Sequence, residues 1–138
     1  MTAPKITITS HDSNRLLRLL EASMEEPRLR RVAEFLDEEM ARAEIVAPEA
    51  VQPTVVTMNS RVEYEDLMTG QRRSIVLVYP EDADADSDRL SVLSPVGAAL
   101  LGLSEGQEIT WQLADGQRRR LKILKVLFQP EAAGQYDR

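Results

Sequence analysis

Four groups of residues have types and spacings that could do chemistry. Glu25 and Glu26 stand side by side before Pro27 and Arg28. Paired carboxylates at a loop tip can hold Mg²⁺ and activate water through it, but acids are equally at home in the solvated start of a helix. Asp82, Asp84, Asp86 and Asp88 alternate in the manner of a calcium loop. An EF-hand needs glycine at its sixth position and glutamate at its twelfth, and counted from Asp82 these are Ser87 and Leu93, so the segment reads as a solvated acidic loop. Arg118, Arg119, Arg120, Lys122 and Lys125 form the one basic cluster, either a contact for phosphate or acidic protein, or the charged outer face of a sheet. His11 is the single histidine. It has no second ligand or triad partner in view and reads as a surface or capping residue. No phosphate loop, dinucleotide fingerprint, nucleophile elbow or zinc-protease pattern occurs. No catalytic, cofactor-binding or metal-binding residues are therefore assigned.

Composition narrows the class further. The 138 residues are 43% hydrophobic but only 4% aromatic, so the core has to be aliphatic. Net charge is −6, and neither half of the chain is basic. Nucleic-acid affinity comes largely from neutralising phosphates, so strong direct binding to DNA or RNA is not expected. Cysteine is absent, which removes disulfides and thiol chemistry and suits a reducing cytoplasm. No apolar run approaches the roughly 18 residues of a membrane helix, and Met1–Ser10 has no apolar signal core. A cytoplasmic monomer is expected.

The elements that would carry these residues fall into two kinds. Ile6 and Ile8 alternate with Thr7 and Thr9 as a short strand, and Ser10–Ser13 supplies N-cap candidates. Leu16, Leu19 and Leu20 mark one face of a first helix; Leu29, Val32, Leu36, Met40 and Ala43 mark a second, from about Pro27 to Glu44. Two amphipathic helices joined by a short turn make an antiparallel hairpin, an arm on the order of 25 Å long. Residues 1–47 are this segment and arm, 48–53 a proline-bearing linker that could act as a hinge, and 54–138 a sheet domain. In that domain strands are expected at Val55–Met58, around Val62 and Tyr64, at Ile75–Tyr79 (the most central one), at Leu90–Leu93, and around Ile109, Trp111 and Leu113. Pro95–Leu103 reads as one short helix ending near Gly102, and Asp115-Gly116 as a hairpin turn. Leu121 and Ile123 share a face; continuing that phase would bury Lys125, so a β-bulge is expected near Ile123–Lys125, turning Leu124, Val126 and Phe128 inward. The fold class is α+β.

The block Ser94-Pro95-Val96-Gly97-Ala98-Ala99-Leu100-Leu101-Gly102, with Gly106, Ile109 and Trp111, resembles the C-terminal domain of the bacterial Gre transcript-cleavage factors. Val55–Val62 and Gln129–Gly134 are similar to the regulators of nucleoside diphosphate kinase, a short-armed family related to those factors. The resemblance covers residues 4 to 138 and implies an FKBP-like sheet domain behind a short coiled coil. It also implies binding to RNA polymerase at the rim of the secondary channel, with Ser94 and Pro95 in the contact. Some Gre factors carry an acidic residue just before this Ser-Pro, where Leu93 stands here. Gre factors use a much longer coiled coil to carry acidic tip residues to the polymerase's catalytic metal. This arm, with Glu25, Glu26 and Arg28 at its tip, is too short to do so from the same seat, so competition with Gre factors without stimulation of cleavage is expected, with an indirect effect on kinase levels. The alternatives are direct binding to nucleoside diphosphate kinase and a prolyl-isomerase-like enzyme; the second is opposed by the shortage of aromatic residues and by the independence of fold and function.

Overall fold

The computed structural model describes residues 4–112 and 118–137. Strand β1 (Thr7–Thr9) leads directly into helix α1 (Ser10–Ser23), and helix α2 (Arg30–Ala41) is followed by β2 (Glu44–Val46). Leu16 and Leu20 of α1, and Ala33, Leu36 and Met40 of α2, are buried, as their three- and four-residue spacing requires. The N-cap is Thr9, one residue ahead of the expected candidates: its hydroxyl accepts from the Asp12 N–H at 3.1 Å, which leaves the Asp12 carboxylate for another partner.

The second helix is shorter than its apolar repeat suggested. Pro27 sits in the connecting turn, where Leu29 N–H and Arg30 N–H both donate to the Glu26 carbonyl. At the other end Ala43 N–H turns back to the Met40 carbonyl. Glu44–Val46 is then drawn into a parallel pairing with β1, Thr7 opposite Glu44 and Thr9 opposite Val46. Strand pairing with a distant segment outcompetes another helical turn. The next segment, with a 3₁₀ turn at Pro48–Ala50, is tied down at Gln52, whose carbonyl accepts from Gln129 Nε2 at 2.8 Å.

The main sheet contains β3 (Arg61–Asp66), β4 (Arg72–Val78), β5 (Arg89–Ser91), β6 (Glu108–Gln112) and β7 (Arg118–Phe128) in the spatial order β5-β4-β3-β7-β6. The central strand is therefore β3, not the more apolar Ile75–Tyr79 run; β4 lies one place off centre and is apolar because it buries Ile75, Leu77 and Val78. Val55–Met58 is not a strand. It makes an isolated bridge from Val55 to Ser104, its Val56 bonds to Gly102 and Leu103, and it ends at Asn59 in the left-handed region with φ 66°. Strand β5 starts and stops earlier than expected, releasing Leu93 to the core. The Asp115-Gly116 turn and Leu113 lie outside the described residues.

On β7 the expected bulge is present. Lys125 pairs with Glu63 and Ile123 with Tyr64, so Leu124 is left over between them. A second irregularity skips Leu127 between Val126 and Phe128. This second shift was not expected, and it leaves Phe128 exposed where one bulge alone would have turned it inward; Leu124 and Val126 are half-buried.

Helix α3 (Pro95–Leu100) closes the fold. Its Ala98, Ala99 and Leu100 join Ile6, Leu16, Leu36, Met58, Leu77 and Ile123 in one hydrophobic cluster. That cluster includes residues of both helices and of the sheet, and Met24 and Leu29 at the two ends of the α1–α2 turn pack against it. Thr7 N–H donates to the Gly102 carbonyl at 3.1 Å. The helical segment is thus bonded to, and packed on, the C-terminal half. Among the described residues no helix is long and apolar enough to cross a membrane.

Candidate docking surface and the joint behind it

Helix α3 is set by the residue that precedes it. Ser94 caps it: the Ser94 Oγ accepts from Gly97 N–H at 3.0 Å and donates to the Ser91 carbonyl at 2.6 Å. Pro95 occupies the first helical turn, where its missing N–H costs nothing. The Ser94 hydroxyl is therefore used internally and is half-buried, whereas Pro95 is exposed and Val96 half-exposed. Of the two residues expected to meet a partner, Pro95 presents its surface and Ser94 holds the helix that presents it. Leu93 points inward, 8% exposed.

The tip residues Glu25, Glu26 and Arg28 are exposed in the α1–α2 turn. With 14 and 12 residues, α1 and α2 are about 20 Å long at ~1.5 Å per residue. The four aspartates of the acidic loop are also exposed: Asp84 Oδ1 accepts from Asp86 N–H at 3.0 Å, and Asp88 lies 3.8 Å from Arg73. Among the described residues no three His, Asp or Glu side chains stand close enough to hold a metal ion.

The basic cluster is spread along β7 between two strands that carry acids. Arg120 bonds Glu108 at 2.6 Å, Arg119 reaches Asp66 at 3.7 Å, Lys122 stands between Glu65 and Glu108, and Lys125 lies opposite Glu63. Cross-strand charge pairing of this kind suits a sheet surface, and it uses up much of the positive charge that a phosphate contact would need. His11 is half-buried beside the N-cap, with its Nε2 lacking a hydrogen-bond partner among the described residues.

Sequence reasoning missed a buried polar network in the C-terminal half that the helical half joins through Asp12. Asp12, 2% exposed, accepts from Met58 N–H at 3.1 Å through Oδ2. Thr57 Oγ1 donates to Glu131 Oε1 at 2.7 Å and lies 2.8 Å from Ser60 Oγ. Gln129 Nε2 bonds the Gln52 and Val55 carbonyls. Burial is the main force on Asp12 and pushes its pKa up to about 7; the Met58 N–H opposes this, and the Glu131 charge adds to it. The signal was in the sequence without a contact: the Val55–Val62 and Gln129–Gly134 blocks, which share one resemblance, meet here.

Comparison with known proteins accounts for this two-part build. Residues 51–128 match the family described as transcription elongation factor, GreA/GreB, C-terminal, and residues 4–46 match the Rnk N-terminus. The regulator of nucleoside diphosphate kinase of Escherichia coli K12 is 43% identical over 138 residues, covering 99% of this chain and 98% of that protein. The transcription elongation factor GreA of Nitratidesulfovibrio vulgaris Miyazaki F is 34% identical over 97 residues, 69% of this chain and 59% of its own. A solved structure described as a prokaryotic transcription elongation factor GreA/GreB from Nitrosomonas europaea superposes with a TM-score of 0.70 at 43% identity, covering 91% of this chain and 99% of that one. With an Rnk-type N-terminal segment joined to a GreA/GreB C-terminal domain, the chain belongs to the family of regulators of nucleoside diphosphate kinase.

Proposed function

We propose that this protein is a non-catalytic transcription regulator that docks on bacterial RNA polymerase through the α3 end of its C-terminal domain. The observation that carries the reading is the capped α3 helix, with Pro95 exposed at its start, inside the region that matches the GreA/GreB C-terminal family. Residues 1–47 are an N-terminal segment and short arm, 48–53 the linker and 54–138 an FKBP-like docking domain; α1 and α2 act as an antiparallel coiled coil. An arm of about 20 Å is short for a factor that must reach a buried metal centre from the channel rim. Catalysis by delivered carboxylates depends steeply on placement, so Glu25 and Glu26 do not stimulate transcript cleavage. The protein acts by occupying the seat that longer factors use, and any effect on nucleoside diphosphate kinase follows through transcription. It works as a cytoplasmic monomer and does not bind nucleic acid strongly by itself.

Pro95→Lys tests the surface without disturbing the cap, because Ser94 and Gly97 remain. Affinity for polymerase core enzyme, measured by fluorescence anisotropy, is expected to fall about tenfold, the loss of roughly 1.4 kcal/mol of a contact residue. The thermal midpoint should move little. Unchanged affinity would remove α3 from the interface. Ser94→Ala is the less clean variant, since loss of an N-cap costs about 1 kcal/mol of stability.

A further inference from the structure

One face of the sheet carries a row of side chains in register across four strands. Arg89 on β5 stands opposite Val76 on β4, Val76 opposite Arg61 on β3, and Arg61 opposite Phe128 on β7. Val62, Ile75 and Leu77, one position along, are fully buried, so strand alternation places the row on the face away from that core. With neighbouring strands ~4.8 Å apart, the backbones of Arg61 and Arg89 are about 10 Å apart and Phe128 follows about 5 Å beyond Arg61.

These residues line a cleft of about 570 Å³, inside the roughly 300–1,000 Å³ range of small-molecule sites. Its wall is completed by Tyr79, over whose ring the Arg15 guanidinium sits 3.9 Å from the centroid. Arg61 and Arg89 form no ion pair among the described residues. Arg61 and Arg89 therefore share a single lining carboxylate, Asp82, at this cleft, in a chain whose net charge is −6. Four other arginines of the sheet reach acids: Arg72 reaches Glu65, Arg73 Asp88, Arg119 Asp66 and Arg120 Glu108. Local cation excess in an open cleft favours an anionic ligand, and the arginine fork suits phosphate oxygens. Phe128, 37% exposed, adds an aromatic surface at one end of the row, of the kind on which bases stack. The half-buried Val76 between the two arginines gives an apolar floor under a chain of phosphates.

We propose that this cleft binds a nucleoside di- or triphosphate, with the phosphates held by Arg61 and Arg89 and the base against Phe128. Neither Ser94 nor Pro95 lines the cleft, so the proposal does not rest on the docking reading.

Isothermal titration of the full chain with ADP, GDP and ATP tests the proposal, with inorganic pyrophosphate and adenosine as partial ligands. The nucleotides are expected to bind with submillimolar Kd at low ionic strength, and adenosine far more weakly. Arg61→Gln/Arg89→Gln should weaken nucleotide binding at least tenfold; Phe128→Ala should weaken it severalfold and leave pyrophosphate unaffected. Circular dichroism checks folding, and Arg89→Gln alone, on a three-residue edge strand, carries the same test should the double variant unfold. No binding at millimolar nucleotide would overturn the proposal. So would binding undiminished by the arginine changes, or pyrophosphate binding as tightly as ADP with Phe128→Ala silent, which would mark an adventitious ion only. Both arginine variants should bind polymerase as the unaltered protein does, which separates a failure here from a failure of the docking reading.

Discussion

Gly97→Ala is expected to lower stability by about 3 kcal/mol or more, the upper end of the cost of overpacking, and the thermal midpoint by roughly 10 °C for a chain of this size. A Cβ at residue 97 would lie 2.1 Å from the Ser91 carbonyl oxygen and 2.9 Å from Ser94 Oγ. Both are atoms of the capping turn: the Ser91 carbonyl accepts the Ser94 hydroxyl, and the Ser94 oxygen accepts Gly97 N–H. The nearest obstacle is backbone, so a side-chain rotation cannot relieve it. Helix α3 would have to move away from the end of β5, taking Pro95 with it. Thermal denaturation followed by circular dichroism measures the effect. A loss below 1 kcal/mol would mean that α3 is not seated closely on the Ser91 carbonyl at the end of β5.

A second large effect concerns pH. Asp12 has a folded-state pKa raised to about 7 from 3.8, chiefly by burial. The folded protein therefore binds a proton that the unfolded chain releases at lower pH. This stability is fully present below about pH 4 and is lost as pH rises through about 7. At ~1.36 kcal/mol per pKa unit the upper bound is about 4 kcal/mol. Asp12→Asn keeps an oxygen for Met58 N–H and removes the charge. The variant should be close to the parent in stability near pH 4 and more stable by roughly 2–4 kcal/mol near pH 8. Urea unfolding of both proteins across that range isolates Asp12, because the other acids are common to both. A difference that does not grow with pH would mean that Asp12 is solvated or better compensated than its place between Thr9, Met58, Arg15 and Glu131 indicates.

The sequence made local patterns legible and long-range partners much less so. The faces of α1 and α2 followed from Leu16, Leu20, Leu36 and Met40, and the bulge on β7 followed from the conflict between Ile123 and Lys125. Each of these depends on period alone. Strand β2 escaped notice because three residues, Glu44–Val46, become a strand only when β1 is alongside. The central place of β3 was hidden for a related reason: its Glu63 and Glu65 are matched by Lys125, Lys122 and Arg72 on neighbouring strands, so a polar-looking strand sits in the middle. Ser94 and Pro95 stood out by motif, but only the capping geometry separates the residue that holds α3 from the one that shows its surface. The Asp12 joint and the Arg61 row were invisible because each is assembled from segments far apart in the chain.

The central claim is that this protein shares a seat on RNA polymerase with Gre factors. The most direct test is displacement: labelled protein bound to polymerase core enzyme, titrated with unlabelled Gre factor. Full displacement, with the competitor's apparent affinity weakening in proportion to the amount of this protein present, is the predicted result. No binding at micromolar protein, or a ternary complex in which both factors remain bound, would contradict it.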